Sequence, residues 1–200
     1  MSAYASTVSR LADKREFQWV LGSLLVGATI ILSGRYACAV PFAALAALAA
    51  LASDRKNGFI LIGATWLANQ AVGFAFLNYP LEFQSIAWGL MLGISAALSL
   101  FAARFALTAL RDSGTILGAC VAFVFAFCAY EGSLYAATLA SQSSEAAFAW
   151  PIVAEIATVN TAAFAVLFCA YRALLAAGFL RQSFVSAGST DFRGVKSQAA

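Results

Sequence analysis

The chain has 200 residues, 62% of them hydrophobic and 10% charged, with a net charge of +3 and no histidine. A soluble globular domain carries about 25% charged residues, so this composition excludes one and describes a polytopic membrane domain. Without imidazole, haem b ligation, zinc hydrolysis and serine–histidine proteolysis lose their usual groups.

Residues 1–16 are polar and end in Arg10, Asp13, Lys14, Arg15 and Glu16. No A-x-A-like cleavage site follows, so the first apolar run, about 17–33, is expected to be an uncleaved span rather than a secretory signal. Gly34-Arg35-Tyr36 fits a tight turn. A second span is expected over about 37–52, with Pro41 tolerated in its first turn. Its AALAALAAL run offers a face of small side chains, Ala43, Ala47 and Ala50, for close packing or for docking a partner. The charged turn 53–58 leads to a third span over about 59–77. The loop 78–82, Asn-Tyr-Pro-Leu-Glu, precedes a fourth span over about 83–103. Arg104, Arg111 and Asp112 mark the next charged end, and spans five and six run over about 115–139 and 151–175. Pro151 suits the first helical position of the last span.

The expected fold class is therefore all-α, with six transmembrane helices. The expected organisation is a cytoplasmic N-terminal segment 1–16, a six-helix membrane domain 17–178 and a cytoplasmic, disordered tail 179–200. Sorting the basic residues by loop places Arg35 on one side and the other eleven on the opposite side. The positive-inside rule then makes both termini cytoplasmic and turns the loops at 34–36, 78–82 and 140–149 outward. Topology accounts for the basic excess, and no nucleic-acid partner is needed. The expected location is a bacterial inner membrane, with the lipid bilayer as its surroundings.

Polar residues converge in the outer half. At 1.5 Å per residue, Asn69 and Gln70 lie roughly 10–12 Å below the outer end of span three, and Glu131 about 12 Å below that of span five. Side-chain amides and carboxyls in hydrocarbon are costly unless paired. This asymmetry predicts an outward cavity lined by Trp66, Asn69, Gln70 and Gly73, with Gly73 leaving room beside the amides. On span five, Cys128, Glu131, Tyr135 and Thr138 share a face. Glu155 and Asn160 diverge by about 140° at 100° per residue, so Glu131 is the preferred acidic group. Tyr79, Glu82 and Trp88 flank the outward loop. Interhelical hydrogen bonding is the alternative role for Asn69, Gln70 and Asn160. The four cysteines, Cys38, Cys120, Cys128 and Cys169, all fall in apolar runs and behave as small hydrophobes in the simplest reading.

The segment TWLANQAVGFAFLNYP followed by AWG, within residues 63–89, resembles the BtuM-like small cobalamin-transporter family. In topology the remainder is similar to the substrate-binding subunits of energy-coupling-factor vitamin transporters. The resemblance implies cobalamin, or another bulky vitamin-like ligand, as the transported molecule rather than a resident cofactor. It also implies outward binding and an energy-coupling membrane module as a partner. In that family a loop cysteine ligates the cobalt, as suits a soft sulfur donor. The 78–82 loop here has no cysteine, and Cys38 is the thiol best placed by topology. Two other readings stay open, a small proton-coupled metabolite permease using Glu131 and a non-catalytic assembly subunit. No nucleophile–base constellation is evident, so no enzymatic activity is expected.

Overall fold

The computed structural model describes residues 22–23, 25–31, 40–110, 114–142 and 145–176. The terminal segments 1–16 and 179–200, the turn at 34–36 and Cys38 lie outside them. Every regular element among the described residues is helical. Residues 25–31 form α1, followed by α2 (Phe42–Ala52), α3 (Arg55–Ala75), α4 (Phe83–Ala109) and α5 (Thr115–Ala140). A 3-10 turn at Glu145–Phe148 then leads to α6 (Trp150–Ala176). Four of these, α3 to α6, are long and apolar enough to cross a bilayer, and this makes the described chain a helical membrane domain.

The second helix differs from the expected span. It begins only at Phe42, with Pro41 at the N-cap and Val40 outside the helix. Its 11 residues reach about 16 Å, roughly half of a hydrocarbon core of about 30 Å. Proline explains the boundary: it has no N–H to donate, and the residue before it is pushed out of the helical region.

A helix that is apolar on every side belongs inside, and α2 is the centre of the bundle. Phe42 through Ala50 are all buried, and α2 packs against α3, α4, α5 and α6. Its alanines let four helices approach together. Both ends are closed by side chains from other helices. At the start, Asn160 of α6 accepts a hydrogen bond from the Ala44 N–H at 3.3 Å, and its amide donates to the Ile156 carbonyl at 3.0 Å. At the finish, Arg104 of α4 donates through Nη2 to the carbonyls of Ser53 and Asp54. The Ala44 N–H and the Ser53 carbonyl are among the terminal groups that a helix leaves unpaired, whereas the Asp54 carbonyl also accepts from the Gly58 N–H of α3. Asp54 meanwhile caps α3 by accepting from the Asn57 N–H at 2.8 Å.

The α4–α5 pair is the most extensive among the described helices, and both helices bury small residues, Ala96, Ala103 and Ala106 on α4 and Gly118, Ala119 and Ala122 on α5. Close helix approach through small residues is the usual membrane solution, because lipid provides no hydrophobic drive between helices. The last helix is held more lightly. It meets α5 through the stacked rings of Phe123 and Phe164, 4.6 Å apart.

Candidate functional site

The amide stretch of α3 is largely committed to packing. Trp66 donates its indole N–H to the Gly89 carbonyl at 2.7 Å, and its ring fills the notch left by Gly93, where a Cβ would come within 2.9 Å. Gln70 lies in the next notch, its amide oxygen against Gly89. Adjacent positions on a helix diverge by about 100°, so Asn69 points elsewhere and is buried.

The space beside Gly73 is not open, contrary to the expectation from spacing. The Tyr79 ring occupies it, with Cδ2 and Cε2 2.7 Å from where a Cβ would stand. The chain turns back because the Tyr79 N–H donates to the Gly73 carbonyl at 3.1 Å and Asn78 takes a left-handed φ of 54°, which asparagine tolerates. Phe74 meets Tyr79 edge-on at 6.2 Å. Glu82 is exposed at the N-cap of α4 and makes no capping bond, and Trp88 is half-buried.

Glu131 stands apart from this cluster. It is half-buried on α5, and its Oε1 is enclosed without a hydrogen-bond partner among the described residues. Its neighbour Tyr130 is buried, with its ring 6.0 Å from that of Phe42, the first residue of α2. The carboxyl therefore lies at the level where the half-length helix begins. Helices α3 and α5 each pack on α2 and α4 but share no extensive contact, so the amides and Glu131 are not brought into one cluster. Tyr135, one turn further along α5 from Glu131, packs edge-on against Phe148 at 5.1 Å. Cys128 is exposed on the same helix, Cys120 and Cys169 are exposed and free, and Glu155 is exposed on α6.

Chemically, an enclosed carboxyl oxygen with no donor is a place for a proton, a cation or the N–H or O–H of a ligand. Burial is what makes it selective: a poorly matched ligand leaves it unsatisfied again. Sequence reasoning missed the contact between Tyr130 and Phe42 at this level and the role of Arg104. For Tyr130 the signal was its place beside Glu131. No family model matches the chain, and neither a curated protein nor a solved structure matches it.

Proposed function

We propose that the chain is a membrane transporter, or the substrate-binding membrane subunit of one, that takes a ligand from the outer side with Glu131 as its recognition group. The observation that carries this reading is the enclosed Oε1 of Glu131, which has no hydrogen-bond partner among the described residues and lies next in sequence to Tyr130, whose ring meets the first residue of α2. Half-length helices beginning inside the bilayer are a recurrent feature of transporter binding sites. The topology that goes with it has six crossings of a bacterial inner membrane, the second of them including α2, and both termini cytoplasmic.

The proposed ligand is cobalamin, supported by the resemblance in residues 63–89, with Tyr79, Glu82, Trp88 and Tyr135 along its path and Cys38 as the candidate thiol for the cobalt. An energy-coupling membrane module is the proposed partner. Because Trp66 and Gln70 are engaged in the α3–α4 seam, Glu131 carries more of the polar recognition than the motif alone implied. The enclosed carboxyl equally favours a second reading, a proton-coupled permease for a smaller metabolite. Uptake of labelled cobalamin into cells expressing the chain separates the two. Glu131→Gln keeps shape and removes charge, and it should lower uptake about tenfold or more, since a lost charged hydrogen bond is worth about 1.5–3 kcal/mol. Cobalamin uptake no greater than in cells lacking the chain would remove the vitamin from the account.

A further inference from the structure

A second surface lies at the opposite end of the bundle, where α3 begins and α4 ends. The first turn of α3 presents Arg55 and Lys56, both exposed. Cations at a helix N-terminus oppose the helix dipole, so this placement is unfavourable unless an anion is nearby. Asp54 lowers that cost by its charge, but it accepts its hydrogen bonds from Asn57, one oxygen from the backbone N–H at 2.8 Å and the other from the side-chain amide at 3.0 Å, and not from either cation. No ion pair engages Arg55 or Lys56 among the described residues. A third cation, Arg104, is fixed beside them by its bonds to the Ser53 and Asp54 carbonyls, and Gly58 is the residue that leaves room for its guanidinium.

Below the charges the surface becomes aromatic. The Arg55 guanidinium lies 6.0 Å from the centre of the Phe101 ring, and Phe101 packs on Phe59 at 4.8 Å. Phe101 and Leu98, one turn further along α4, are exposed at 47% and 43%. The surface thus passes from cations to exposed apolar side chains over about one turn of helix, the profile of a phospholipid with its headgroup in the interface and its chains in the core.

From this charge complementarity we infer that Arg55, Lys56 and Arg104 form a binding site for an anionic phospholipid, with the acyl chains lying along Phe59, Phe101 and Leu98. The two exposed cations contact the headgroup phosphate, and Arg104 adds positive potential while holding the α2–α3 turn in place. Phosphate contact from an exposed cation pair is favourable at a membrane surface, where water is partly excluded and each basic residue adds to the attraction.

The test is native mass spectrometry of the full-length protein in detergent, titrated with phosphatidylglycerol or phosphatidylcholine of identical chains. Wild type should take up phosphatidylglycerol more tightly. The double variant R55Q/K56Q should weaken that binding about thirtyfold, two charges' worth of attraction, and leave phosphatidylcholine unchanged. R172Q, which removes an exposed cation near the end of α6, should change it by no more than about twofold. Equal binding of the two lipids by wild type would overturn the site, and so would an R172Q loss as large as that of the double variant. Should the double variant not fold, the wild-type preference must itself fall as salt is raised, and a salt-independent preference contradicts the inference.

Discussion

At the scale of single residues, three buried side-chain polar atoms lack a hydrogen-bond partner among the described residues, on Ser95, Arg104 and Glu131, and Glu131 is the carboxyl among them. Trp66 and Gln70 fit into glycine notches, and Arg104 closes the finish of α2. Asn160 acts as an N-cap supplied from another helix, because Pro41 lacks a side chain able to cap its own. Losing an N-cap costs about 0.5–2 kcal/mol. Asn160→Ala should therefore lower stability by about 1 kcal/mol in thermal unfolding of the detergent-solubilised protein. Glu155→Ala, at an exposed position on the same helix, should leave the midpoint unchanged. Equal midpoints for the two variants would show that the cap contributes nothing.

At the scale of elements, α2 is the organising piece. Nine consecutive residues are buried in a helix of 11, and four neighbours touch it, so its volume is constrained on every side. Ala46 is fully buried, and added methylenes there have nowhere to go. Ala46→Leu should cost about 1–3 kcal/mol, whereas Leu in place of the lipid-facing Ala165 should be tolerated. Folded yield and unfolding temperature measure both. The sequence made the long helices legible, since α3 to α6 coincide with runs near the bilayer's thickness and end at loops rich in charge, proline or glycine. The truncation of α2 was harder to read. Pro41 is compatible with both a first-turn and an N-cap position, and only the packing around Phe42 selects between them. The Tyr79 ring over Gly73 was likewise hidden, because a glycine in a stripe signals close approach without naming what approaches.

At the scale of the whole molecule, the basic residues carry two messages. Their sorting predicts which face is inside, and their position on α3 and α4 carries the proposed lipid site. Contact between Arg104 and the α2–α3 turn places those charges at one end, with the Tyr79 turn at the other. In a variant stripped of native cysteines, a cysteine introduced at Asn78 should react with a membrane-impermeant maleimide in intact cells. One introduced at Lys56 should react only after the membrane is opened. The reverse pattern would invert the topology and the side from which Glu131 is reached. The polar candidates were visible from depth alone, yet their grouping was not. Depth fixes a level in the membrane and leaves direction free, and α3 and α5 turned out to pack on shared neighbours instead of on each other.

The measurement that tests the central claim most directly is cobalamin retention by the purified full-length protein, read from corrin absorbance, for wild type and Glu131→Gln side by side. The account predicts near-stoichiometric corrin on the wild type and loss of most of it in the variant at unchanged folded yield. Full corrin retention by Glu131→Gln would remove that carboxyl from ligand recognition. Absence of corrin from both at micromolar ligand would contradict the vitamin-transport reading.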